Sequence, residues 1–176
     1  MRSTMSVMPW LLPGLTAAAA VGIFVSGWLG RRIGTGRALA WALFVSFGLV
    51  FAATLPPLRD GLNLAAGSVG SCDLSRLGLA PIDELLRIGD TSLNVVLFMP
   101  LGLAIGLIPG SRRRNVILIL AILSPFAIET WQLVLPILGR GCQSADVIDN
   151  LTGLVIGAVI GAGARILGSG SGARPG

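Results

Sequence analysis

The chain has 176 residues, of which 12% are charged and 53% hydrophobic. A soluble domain carries about twice that charged share, so the composition excludes an ordinary water-soluble fold. All 13 basic residues are arginine and the net charge is +5, but they lie between apolar runs rather than along one face, which argues against nucleic acid. There is no histidine, which removes Ser-His-Asp and Cys-His catalysis and most zinc sites. Two cysteines are too few for a four-cysteine zinc site, and nothing in the pattern calls for a metal or another cofactor.

The apolar runs are long enough to cross a bilayer, which takes roughly 17–25 helical residues. They do not alternate as barrel strands do. The expected fold is therefore all-α, a polytopic integral membrane bundle of about five transmembrane helices. Residues 1–55 hold the first two, 56–91 one long polar loop, 92–168 a three-helix core and 169–176 a disordered Gly/Ser tail.

The first run, Pro9 to Gly30, repeats Gly14, Ala18, Gly22, Ser26 and Gly30 every four residues, a small-residue ridge suited to close helix packing and permissive of an oligomer. The rival reading is a signal peptide cut at Ala18-x-Ala20, which strands a remnant too short to span. Arg31-Arg32 to Arg37 forms a basic loop. The second run, Ala38 to Leu55, stops at Pro56-Pro57. In the polar loop, Pro81–Ile88 reads as a short helix lying on the membrane surface, with Ile82, Leu85 and Leu86 on one face. The third run spans Ser92 to Pro109, with Asn94, Phe98, Gly102 and Gly106 on an i, i+4 stripe and Pro100 inside it. Ser111 to Asn115 forms a second basic loop. The fourth run, Val116 to Leu135, holds Pro125, Glu129 and Gln132. A short loop carries Arg140 and Cys142. The fifth run, read as a helix starting near Asp146 and ending near Leu167, puts Asp146, Asn150, Gly153, Gly157 and Gly161 on one face.

With five spans, Arg31, Arg32, Arg37, Arg112–Arg114, Arg165 and Arg174 share one side with no acidic residue. The positive-inside rule places that side in the cytoplasm. The N-terminus and the long loop are then outside and the C-terminus inside, in a bacterial plasma membrane. Cys72 and Cys142 both fall outside, where an oxidising medium permits a disulfide; two unpaired thiols are the alternative.

Six polar side chains gather in the outer half: Asn94, Glu129, Gln132, Arg140, Asp146 and Asn150. Glu129 lies roughly 10 Å below the outer end of its helix. An ionised carboxylate at the bilayer centre costs about 2.5–3.5 kcal/mol even on the lenient insertion scale, so Glu129 must be protonated, paired or facing a wet cavity. Arg140 is the candidate partner of Glu129 or Asp146. Asn94, Gln132 and Asn150 are candidates to bond one another across helices. The bland reading is an interhelical clasp; the sharper one is an outward-opening binding or reaction site.

Three pieces then carry a resemblance: Asn94-Val-Val-Leu-Phe98-Met-Pro100-Leu-Gly102, Glu129-x2-Gln132, and Arg140-x5-Asp146-x3-Asn150-x2-Gly153-x3-Gly157. Their order and spacing resemble the VanZ-like family of bacterial membrane proteins, over about Asn94 to Gly157. Within these pieces Pro100, Gly102, Gly153 and Gly157 are the expected helix-packing positions. Asp149 is not part of the pattern, and Gln143 stands where some members have an acid. The resemblance implies a multi-pass envelope protein of a family named for resistance to the glycopeptide teicoplanin, which acts outside the membrane on cell-wall precursors.

Three functions follow. The first is a non-enzymatic site for a lipid headgroup, a cell-wall precursor or a lipoglycopeptide, with Arg140 meeting an anionic group. The second is a membrane enzyme on a lipid-linked substrate, with Glu129 and Asp146 as the acid/base pair or as oxygen ligands for magnesium. The third is a transporter, which the missing internal repeat and the apolar inner half disfavour.

Overall fold

The computed structural model describes residues 9–57, 71–135, 138 and 140–170. The elements are α1 (Leu11–Ile33), α2 (Arg37–Thr54), β1 (Cys72–Asp73), α3 (Ile82–Leu86), α4 (Asp90–Leu107), α5 (Arg112–Val134), β2 (Cys142–Gln143) and α6 (Ser144–Gly170). Five of the helices are long and apolar enough to cross a membrane. The chain is an all-α, polytopic membrane bundle, as expected. The segment 171–176, expected to be a disordered tail, lies outside the described residues.

Local chemistry sets the helix ends. Gly34 ends α1 in the left-handed region at φ 75°, with its N–H donating to Gly30 O at 2.9 Å; glycine adopts that conformation without the Cβ penalty. The second basic loop is a correction. Arg112–Arg114 form the first turn of α5, because Ser111 caps it and its Oγ accepts from the Arg114 N–H at 3.1 Å. The fifth span begins at Ser144, two residues before Asp146, and runs to Gly170, past Leu167. The helix expected over Pro81–Ile88 is shorter, Ile82–Leu86.

Pro125 sits inside α5 and has no N–H for the Ala121 carbonyl. The neighbouring Ser124 hydroxyl donates to that carbonyl at 2.8 Å. A hydroxyl supplied one residue from the proline lets the helix continue through a medium without water.

The bundle is built around α4 and α6, which run parallel. Their glycines interlock. A Cβ at Gly153, Gly157 or Gly161 would strike the backbone at Val95, Met99 or Leu103 of α4. A Cβ at Gly102 or Gly106 would strike the α6 backbone at Leu154 or Ala158. Each contact advances four residues on both helices, so the register is constant. Backbones at this distance gain dispersion and Cα–H···O contacts where no hydrophobic effect drives helices together. Phe98, Leu101, Ile105 and Leu154 fill the core beside the seam, each nearly inaccessible. At one end of the seam Arg165 closes α4, its Nη1 donating to Ile108 O at 2.8 Å.

The remaining helices wrap this pair. α2 packs on α4, α5 on α6, and α1 chiefly on α2. Trp41 Nε1 donates to Ala19 O at 3.0 Å and Arg37 Nη2 to Ile23 O at 2.8 Å, tying α2 to α1. Two ends result. Arg31, Arg32, Arg37, Arg112–Arg114 and Arg165 mark an arginine end. The ends of α2 and α5, the starts of α4 and α6, and the β1–β2 pair form a polar end.

Candidate functional site

The polar end is held together by the loop. β1 and β2 pair in parallel, with Cys72 opposite Cys142 and Asp73 opposite Gln143. Cys72 and Cys142 are joined as a disulfide, with Cα atoms 4.5 Å apart. Beside the link, Arg76 reaches α6: its Nη2 contacts Asp149 Oδ2 at 2.5 Å, and its backbone carbonyl accepts from Ser144 Oγ at 2.7 Å. Asp149 is 1% exposed. An anion buried to that degree needs a partner, and the loop supplies it.

Glu129 is also buried, at 5% exposure. Its Oε2 accepts from the Gln143 N–H at 2.8 Å. The donor is thus a backbone amide of β2, placed by the disulfide-linked strand pair. Glu129 and Asp146 are close enough to interact electrostatically, and Arg140 interacts with both.

Arg140 was expected to pair with one of those carboxylates. Its hydrogen bond instead goes from Nη2 to Ala53 O at 2.7 Å. Gln132 Nε2 donates to the next carbonyl, Thr54 O, at 3.4 Å. These are the last carbonyls of α2, which have no helical donor of their own. Two of the six polar residues therefore close a helix end, rather than bonding to other side chains. Burial pulls the Arg140 guanidinium below its ordinary pKa, while Asp146, Glu129 and Asp90 oppose that shift.

Asn150 lies in the second turn of α6 at 2% exposure, and its Oδ1 accepts no hydrogen bond among the described residues. Arg140 Nε is likewise buried without an acceptor. Asn94 is half-buried in the first turns of α4. The six residues thus share one end of the bundle, and two of them, Gln132 and Arg140, draw on α2 for carbonyls. Sequence reasoning missed Arg76 and the α2 carbonyls. Among the described residues, no three Cys, Asp or Glu side chains gather as a metal site.

The VanZ/LLP1 family model matches residues 39–165, more than half of the chain. The chain belongs to the VanZ/LLP1 family. No curated protein and no solved structure matches it. The family match takes in α2, whereas the short motifs begin only at Asn94. At the polar end α2 contributes the Ala53 and Thr54 carbonyls that Arg140 and Gln132 hold.

Proposed function

We propose that this VanZ/LLP1 protein faces the outside of a bacterial plasma membrane with its polar end. There it binds an envelope component: a lipid headgroup, a cell-wall precursor or a lipoglycopeptide. Among the described residues three buried side-chain atoms lack a hydrogen-bond partner: Arg114 Nε at the arginine end, and Arg140 Nε and Asn150 Oδ1 at the polar end, where the two together support a ligand. Buried polar atoms are ordinarily satisfied, and a donor and an acceptor left open at one end of a bundle suit a ligand carrying both an anionic and a donor group. Arg140 would meet the anion, and Asn94 and Asn150 would orient the rest. The arginine-only end supports placing that end in the cytoplasm and the polar end outside.

An enzyme acting on a lipid-linked substrate is the second reading. The electrostatic proximity of Glu129 and Asp146 favours it, because those carboxylates are the acid/base pair available without histidine or lysine. Loss of turnover in Glu129→Gln with folding intact would support that reading; full turnover would count against it.

The test of the binding reading is drug tolerance in a bacterial host with and without the protein. Wild type is compared with Glu129→Gln, Arg140→Ala and Asp146→Asn at matched membrane levels, against teicoplanin, vancomycin and a lipopeptide. Tolerance to the lipid-tailed drugs that the three substitutions abolish is the expected result. Tolerance unchanged by all three removes the site from the account.

A further inference from the structure

A groove of about 480 Å³ opens between α5 and α6 at the polar end, a volume within the usual range of small-molecule sites. Its walls are apolar: Phe126 and Leu133 from α5, Ile148 and Leu151 from α6. Leu74 and Leu77 of the loop line its mouth and are 62% and 75% exposed. Among the described residues, Glu129 is the one ionisable side chain on that lining, and Thr130 lies beside it. Arg140 and Asp146 do not reach it.

We infer that this groove holds one bilayer lipid whose headgroup carries an amine, with an acyl chain between α5 and α6 and the ammonium at Glu129. The inference goes beyond the envelope-ligand reading: the groove is a neighbouring site that shares Glu129 with the polar cluster and not Arg140 or Asn150. Two observations carry it. The groove's walls are continuous with the apolar surface of two spans, so a lipid enters sideways from the bilayer without crossing water. Leu79, Ile82, Leu86 and Ile88, farther along the same polar segment, are also apolar and at least 75% exposed. Charge complementarity decides the headgroup. One Glu129 oxygen accepts from the Gln143 N–H, and among the described residues no cationic side chain lines the groove. A net anionic lipid would meet the Glu129 carboxylate before any cation on the lining; an ammonium would find that carboxylate in low dielectric.

The test uses the full chain in nanodiscs of mixed phosphatidylethanolamine and phosphatidylglycerol. Each lipid in turn carries the same photoactivatable acyl chain, and adducts are mapped by mass spectrometry. Adducts should concentrate on Phe126–Leu133 and Ser144–Leu151, several-fold higher for phosphatidylethanolamine. Glu129→Gln should bring the two lipids close to parity. Ile148→Trp should lower groove adducts of both. The wild-type map requires no variant to fold, so it decides the question alone. Even labelling that includes exposed Phe24 and Val159, or equal labelling by the two lipids, overturns the inference whatever the drug assays return. Selective labelling in a protein that gives no drug tolerance supports the groove and sinks the tolerance reading only.

Discussion

Arg76 and Asp149, 73 residues apart in the chain, meet at 2.5 Å where the loop crosses the start of α6. The pair ties a segment with no transmembrane character to the helix that carries Asp146 and Asn150. Its geometry explains why Asp149 is tolerated at 1% exposure.

Removing one partner should therefore cost more than removing both. Arg76→Met leaves the Asp149 carboxylate buried and unpaired, a loss of about 3–5 kcal/mol for a fully buried pair. Arg76 retains 24% side-chain exposure, so solvent reduces this to about 2–3 kcal/mol. Arg76→Met with Asp149→Leu should recover most of the loss. Thermal unfolding of the three variants in detergent checks this; a double variant no better than the single one would contradict it.

The disulfide closes the chain over 70 residues. Chain entropy assigns such a link up to about 4 kcal/mol. The contribution should be smaller here, since spans remain helical in the membrane when tertiary packing is lost. Cys72→Ser is expected to lower the melting temperature and to raise protease cleavage of the loop. Reductant should do the same to wild type and nothing further to Cys72→Ser. Equal cleavage in wild type with and without reductant would contradict the link's role.

The parallel seam predicts a sharp contrast among glycines. Gly157→Ala places a methyl group against the Met99 backbone, where no flexible side chain can yield, so α4 and α6 must separate. A loss of about 3 kcal/mol or more follows from overpacking. Gly163→Ala meets nothing within 4 Å and should be neutral or stabilising by up to about 1 kcal/mol. Yields of folded protein by size-exclusion chromatography should rank Gly163→Ala with wild type and Gly157→Ala far below.

Much of this was legible from residues alone. The spans are visible because uninterrupted apolar runs of membrane length have few other meanings. The stripe Asp146, Asn150, Gly153, Gly157 and Gly161 was legible as one face, and its glycines do meet α4. Three things were not. Arg112–Arg114 read as a loop when charges are counted by side, although Ser111 was a visible cap. Arg140 reaches a backbone carbonyl, and no side chain marks such a partner in a sequence. Arg76 lies in a long loop, and it is brought to Asp149 by strand pairing whose register cannot be read from two isolated cysteines.

The central claim is that the polar end opens outside the plasma membrane, and orientation tests it most directly. Reporters fused after the last residue separate the two placements, since alkaline phosphatase needs an oxidising compartment for its disulfides and a cytoplasmic fluorescent protein does not. The account predicts a fluorescent, phosphatase-inactive C-terminus. It also predicts that a reporter inserted in the loop between α2 and β1 shows phosphatase activity. The reverse pattern would place Arg140, Asp146 and the groove mouth in the cytoplasm and would contradict an envelope-facing site.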